Sequence, residues 1–436
     1  MANQRQERGT GGDGIPPGER PDREPSPGLN PEPQPQPDPS PEQPAPVSGT
    51  VRRRGLLVGM GLTGAGGLLG AAGLGGGEAA AAGGPHGKGA VRPEQFHGGA
   101  HLLVPEVLLL PDGPVRDRAV LVRDGTFRAI GPARQLIAAH RDLHPVRLDG
   151  HLLMPGFVDA HHHLTQSFGK ARSFGRPSEI FKTVWEPLEH ALDEESAYVS
   201  AKLAALEALR GGFTTVADAG TRAPVDVGVV ARATEEAGLR CVLSEIVSHG
   251  ADGQAHLGRW DGHPLVHPSL AIAVPEDAPG EVIKRTADLC AEAGAVLQIH
   301  VNEHLASVER SLKSVAAGDS SCGAGRMWLE HATAHSADAV GLGSVTGEIA
   351  VGKAADFLVV DLDVPELTPS YDLRWELVRL AHRDQITAVV VGGRLRLWCG
   401  RPLDWDGPAL VSRAAELGPE VVRRAGLHRV EPPRPA

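Results

Sequence analysis

The stretch Leu153-Met154-Pro155-Gly156-Phe157-Val158-Asp159-Ala160-His161-His162-His163 runs from an apolar segment into three histidines, and its reading decides the fold. Side chains on a β-strand alternate between faces, so His161 and His163 project together while His162 projects the other way. Two imidazoles on one face can share a metal ion. The same spacing also occurs in solvated surface runs, so the argument passes to what surrounds the pair.

A second apolar strand, Ala295-Val296-Leu297-Gln298-Ile299-His300-Val301-Asn302-Glu303, ends in a histidine followed three residues later by a glutamate. A third segment reads Gly347-Glu348-Ile349-Ala350-Val351-Gly352-Lys353-Ala354-Ala355-Asp356-Phe357. In this order the three stretches resemble the amidohydrolase superfamily, in its cytosine deaminase and triazine hydrolase branch: PGFxDxHxH on the first barrel strand, HxxE on the fifth, and a GxIxxGKxAD hairpin returning the chain to a small β domain. The resemblance implies a (β/α)₈ barrel with a small β-sandwich domain built from the segments before and after it. It implies that His161, His163 and His300 hold one divalent metal ion, Zn or Fe, and that Glu303 is the catalytic proton shuttle. Gln166 matches an HxHxxQ variant of that branch, where it is implied to touch the substrate ring. Asp159 shares the parity of His161 and His163, which places it behind them to orient an imidazole. In the resembling enzymes the metal lowers the pKa of a water, and the hydroxide attacks a ring carbon bearing an amino group or halide. The expected partner is a small nitrogen heterocycle: a purine, pyrimidine, pterin or triazine.

With 41% hydrophobic and 22% charged residues, the chain of 436 can bury one large core and a second small one. The formal net charge is −11 and the basic residues form no stripe, which argues against nucleic acid as a partner. Cys241, Cys290, Cys322 and Cys399 show no CxxC spacing, so a thiolate zinc site and a dense disulfide framework are excluded. Residues 1–50, dominated by Pro, Gly, Glu, Gln and Asp, carry too little apolar surface to offset the entropy of ordering and read as disordered. Residues 51–83 open on Arg52-Arg53-Arg54, continue through a Gly-rich apolar run and end in small residues, the order of a twin-arginine export signal. That run is too rich in glycine for a stable membrane span, so the expected location is extracellular or in the cell envelope, with the cytoplasm as the alternative.

Residues 105–110 and 118–130 alternate as strands around an Asp124-Gly125 hairpin signal and open the small β domain, which residues 101–153 and 344–400 share. Within the barrel segment, residues 154–343, helices are predicted over 193–210, 225–237 and 281–293, the first with Asp193 as N-cap. Strands are predicted over 214–218, 241–247 and 270–274, followed by the one carrying His300. This alternation predicts a parallel sheet with the histidines and Glu303 at the carboxyl ends of their strands. Asp218 lies near a strand end and is a candidate replacement ligand or base, and His331 and His335 share a helical face that reads as a polar surface. Beyond residue 400 only a C-terminal amphipathic helix, 410–425, is expected.

From Phe157 to Leu342 there are 186 residues, whereas a complete eight-unit barrel takes about 250 and at least about 200. Between His300 and the closing helix over 327–342 only one helix, 303–316, and a small-residue linker are readable, so about three βα units are absent. The family's further histidine and its water-activating aspartate cannot be assigned. Two readings follow. One is an amidohydrolase acting on carbon-nitrogen bonds through a shortened barrel, or one completed in a homodimer. The other is a degenerate remnant that binds metal or ligand without turnover.

Overall fold

The computed structural model describes residues 91–173, 180–247, 253–273, 278–300 and 324–428. The Pro-rich region 1–50, the export segment 51–83, Cys322, His249, Glu303 and the helix expected over 303–316 lie outside the described residues.

Two sheets organise the protein. The first is continuous and nine-stranded: β1 Ala100–Leu110, β2 Gly113–Val115, β3 Arg118–Arg123, β4 Thr126–Pro132 and β5 Pro145–Pro155 precede the barrel segment. β11 Phe357–Asp361, β12 Ile386–Val391, β13 Arg394–Trp398 and β14 Arg401–Pro402 follow it. The order is β14-β13-β12-β11-β5-β1-β3-β4 with β2 beside β1, and the two halves of the chain meet where β11 runs antiparallel to β5. Asp124 and Gly125, both at positive φ, form the expected two-residue turn between β3 and β4.

The two-layer sandwich gives way to this single sheet, which curls until its β4 end meets its own middle. The Phe127 ring on β4 lies 6.1 Å from the Phe357 ring on β11, and the Ala355 amide donates to the Gly125 carbonyl. Leu103, Leu148, Leu153, Phe127, Phe357 and Val390 fill the enclosed space. Curling encloses one core without a second set of edges. The expected hairpin over 347–356 is likewise a loop rather than paired strands; its only ladder contact is the Ala354–Thr126 bridge.

Gly156 is the one residue between the sheets. A Cβ there would stand 2.2 Å from the Thr214 side chain, which explains why a glycine follows Pro155. The second sheet is parallel and follows chain order: β6 Phe157–His162, β7 Phe213–Asp218, β8 Arg240–Ile246, β9 Val266–Ile272 and β10 Leu297–Ile299. Against one face lies the helix Glu194–Arg210, whose Ala201, Ala205 and Leu209 pack in one cluster with Val216, Cys241 and Leu243. Val158, Ala217 and Val242 on the opposite face meet Ala337, Val340 and Leu342 from the closing segment. That segment is helical from Ala324 to Ala339, with its middle turn, His331–His335, widened. Cys241, Cys290 and Cys399 are free thiols, and no helix among the described residues is long and apolar enough to cross a membrane.

Candidate metal centre

Parallel strands lying side by side bring their carboxyl ends to one rim, and β6 and β10 deliver histidines there. His161, His163 and His300 each offer a ring nitrogen, and these three atoms all lie within 4.8 Å of one another. The rings form a triangle with centroids 4.9–5.1 Å apart. His161 is exposed; His163 and His300 are half-buried.

The hydrogen bonds fix the tautomer of His163. Its Nδ1 faces the Gly220 carbonyl at 3.2 Å, and a carbonyl only accepts, so Nδ1 carries the proton and Nε2 presents its lone pair. That Nε2 lies 3.0 Å from His300 Nε2. Two nitrogens bound tetrahedrally to one zinc at about 2.0–2.1 Å are themselves about 3.3 Å apart, so the spacing suits a shared ion. Burial, and then the neighbouring His300 and His161, hold the His163 pKa down to about 3, against the lift from the Gly220 carbonyl. The ring is therefore neutral near pH 7, the form a cation requires. His300 Nδ1 is buried with no hydrogen-bond partner among the described residues. Three imidazoles converging on one point fit zinc, which takes three protein ligands and an open position in catalytic sites.

The other residues singled out in the sequence are placed differently. Asp159 does not turn to the converging rings: its Oδ2 meets His162 Nδ1 at 2.9 Å and its Oδ1 accepts the His161 backbone amide at 3.2 Å. The ladder between β6 and β7 is irregular between Asp159 and His162, so simple alternation fails there. Gln166 donates from Nε2 to Glu189 Oε1 at 3.0 Å. Asp218 is no ligand: its Oδ2 accepts the Leu164 amide at 3.1 Å and its Oδ1 the Gly220 amide at 2.6 Å. Burial raises its pKa to about 6 against those two donors. His331 and His335 stack edge to face 5.1 Å apart and belong to no ligand group among the described residues.

Three supports escape sequence reading. Glu189, on the short helix Glu186–His190, is fully buried and accepts the Arg222 backbone amide and Nη1 at 3.1 and 2.9 Å. Arg222 also stacks on the Phe181 ring, 4.0 Å from its centroid. Gln298, two residues before His300, donates to the Asp218 carbonyl at 3.0 Å and to Ser244 Oγ at 2.7 Å, tying β10 across the sheet. No spacing rule marks Glu189 or Arg222; the alternation that puts Gln298 on the face of His300 was the available signal.

Comparison with known proteins places this geometry. The Amidohydrolase family model matches residues 152–324 and 323–396, more than half of the chain. The chain belongs to the amidohydrolase family. This amidohydrolase is 29% identical over 213 residues to the 5-methylthioadenosine/S-adenosylhomocysteine deaminase of Pelotomaculum thermopropionicum, covering 46% of the chain and 48% of that protein. To the protein of the same name from Syntrophobacter fumaroxidans it is 24% identical over 395 positions, covering 65% of the chain and 89% of that protein. It spans about half the length of most curated relatives it matches. Among solved structures, an adenosine deaminase from Xanthomonas campestris with bound zinc superposes with a TM-score of 0.63 at 19% identity, over 74% of this chain and 98% of that one. An atrazine chlorohydrolase from Arthrobacter aurescens complexed with zinc superposes at 0.55 and 16% identity, over 73% of this chain and 100% of that one. The likeness shows an amidohydrolase-type α/β fold.

Proposed function

We propose that this amidohydrolase is a metal-dependent hydrolase of carbon-nitrogen bonds other than peptide bonds, and that it deaminates a small nitrogen heterocycle of the adenosine-like purine class. The observation that carries the reading is the meeting of His161, His163 and His300 within 4.8 Å at the rim of the parallel sheet. The relatives named as deaminases of adenosine derivatives support the substrate class. When bound there, a divalent ion, zinc or iron, supplies an acidified water and draws charge from the substrate ring. His163 offers a lone pair without first shedding a proton, because burial keeps the ring neutral and the Gly220 carbonyl holds its one proton on Nδ1. Glu303, assigned on its HxxE spacing, carries the proton to the ring nitrogen and the departing amine. Gln166 has its amide nitrogen committed to Glu189, which leaves its carbonyl oxygen to meet a substrate amino group. Export through the twin-arginine route remains part of the proposal, and the N-terminal sequence of the mature chain recovered outside the cytoplasm tests it.

A second reading has its own support. Five parallel strands are present among the described residues. In the alignment with the S. fumaroxidans relative, 65% of this chain is about 283 residues, so about 110 of the 395 aligned positions face no residue here. About three βα units would account for that number, and the alternative is a remnant that binds metal or ligand without turning substrate over. One experiment separates the two readings: metal content of the purified chain beside the His161→Ala/His163→Ala double variant, followed by ammonia release from adenosine and related purines. About one zinc or iron per chain, lost in the double variant, together with ammonia release supports the enzyme. Metal without ammonia favours the remnant, and no metal in the wild type sinks the enzyme reading and leaves a remnant.

A further inference from the structure

The histidine triangle leaves unexplained why a fully buried carboxylate sits behind it. Glu189 has no exposed surface, and its two oxygens serve two separate pieces of chain. Oε1 receives Gln166 Nε2 at 3.0 Å and Thr165 Oγ1 at 3.5 Å, both from the segment that follows His163. Oε2 receives the Arg222 backbone amide at 3.1 Å and Arg222 Nη1 at 2.9 Å, from the segment that follows β7. Between those segments lies the bond on which the His163 ring depends, from Nδ1 to the Gly220 carbonyl. Thr165 Oγ1 also lies 2.9 Å from Thr221 Oγ1, sharing one hydroxyl proton between the two contacts, and Asp218 repeats the bridge one step earlier, between the Leu164 and Gly220 amides.

We propose that Glu189 is a positioning residue for the candidate metal centre: by holding residues 165–166 at a fixed spacing from residue 222, it sets the bearing of the His163 imidazole and with it the affinity for the ion. The inference rests on the reading that the three histidines hold a divalent cation. Glu189 does not touch the ion; it acts through Gly220 and His163. A buried carboxylate is costly to desolvate, and here its four acceptor contacts, one of them from the Arg222 guanidinium, offset that cost. A glutamine cannot replace it without loss, because its amide nitrogen would face donors on one side or the other. Supporting groups behind metal-bound histidines typically change affinity by about 10–100-fold when removed.

The test uses the full chain loaded with Co²⁺, whose visible absorption reports coordination geometry, with affinity measured by chelator competition. Glu189→Gln should bind Co²⁺ about 10–100-fold more weakly than wild type, with an altered spectrum, while far-ultraviolet circular dichroism stays unchanged. Gln166→Ala, at a half-buried position, loses one arm of the bridge without stranding a buried charge. It should weaken Co²⁺ binding by a smaller factor, and it carries the test if Glu189→Gln does not fold. Asp193→Ala, a destabilising change at a helix end whose carboxylate bonds Ser196 and Arg424 and no residue of the bridge, serves as control and should keep wild-type Co²⁺ affinity. Folded Glu189→Gln, or Gln166→Ala in its place, with wild-type affinity and spectrum overturns the positioning role and leaves the metal centre standing. A wild-type chain that binds no Co²⁺ overturns the metal centre itself.

Discussion

Asp356, the last polar residue of the Gly-Lys-Ala-Ala-Asp stretch, shows what a motif residue does once it is placed. Its carboxylate is buried and fully occupied: Oδ2 takes Arg240 Nε at 2.9 Å and Thr346 Oγ1 at 2.9 Å, and Oδ1 takes Arg240 Nη2 at 3.2 Å and the Gly392 amide at 2.7 Å. Arg240 opens β8 of the parallel sheet, whereas Gly392 turns β12 into β13 of the other sheet, so one carboxylate fastens the two sheets together. The Asp356 carbonyl adds a bond from the Gly156 amide at the crossing point between them. Truncating a buried, fully paired charge leaves its partner stranded, which typically costs about 3–5 kcal/mol. Asp356→Ala is accordingly expected to lose about that much in urea unfolding while the Co²⁺ spectrum of the remaining folded fraction is unchanged. A loss below about 1 kcal/mol would mean that Arg240 finds other acceptors and the clamp is not structural.

The helix Glu194–Arg210 is the element the sequence made most legible. Asp193 sits outside it in extended conformation and accepts the Ser196 amide at 2.9 Å, while Ser196 Oγ receives the Asp193 amide at 2.9 Å, a reciprocal cap. The Ser196 hydroxyl, which donates to Asp193 Oδ1 at 2.6 Å, then the Ser196 amide and Arg424, hold the Asp193 carboxyl down to about 2. Asp193→Ala should cost about 1 kcal/mol, read as a lower urea midpoint with unchanged slope, and an unchanged midpoint would show the helix end held by packing alone. Among the described residues, the other expected barrel helices and strands likewise fall within a few residues of their periodic signals, because those signals report which face is buried. Elements that depend on distant pairing were not legible. Curling of the nine-stranded sheet is set by contacts such as Phe127 with Phe357, and the loop over 347–356 by bonds to β4, and neither leaves a local pattern. Within the site, the histidines were legible because metal binding demands a residue type at a spacing. The bridging roles of Glu189 and Asp218 were not, because a buried carboxylate is recognised by its donors, and all of these except the Gly220 amide come from residues 23 to 54 positions away.

At the scale of the whole molecule the parallel sheet has two chemically different ends. The carboxyl end gathers the three converging imidazoles, whereas the amino end, around Arg240, joins the sheets and holds a neutral imidazole that serves stability. His267 Nε2 lies 3.3 Å from Arg240 Nη1, and since a guanidinium only donates, that nitrogen accepts and His267 is uncharged. Burial, and then the Arg240 and His263 charges, lower its pKa to about 4, with Asp356 opposing. The unfolded chain therefore binds a proton at His267 below about pH 6.5, where the folded chain does not until about pH 4, so stability from this group is complete above 6.5 and falls as the pH drops. Over that window the loss amounts to at most about 3 kcal/mol, at about 1.4 kcal/mol per unit. His267→Gln keeps an acceptor for Arg240 and cannot take up the proton. Its urea midpoint should change less than that of wild type between pH 7 and pH 4.5. Equal drops in the two proteins would assign acid sensitivity to the carboxylates and leave His267 a spectator. A smaller drop in the variant would place an acid-labile joint at the end of the sheet opposite the metal centre, where it can be removed without touching a ligand.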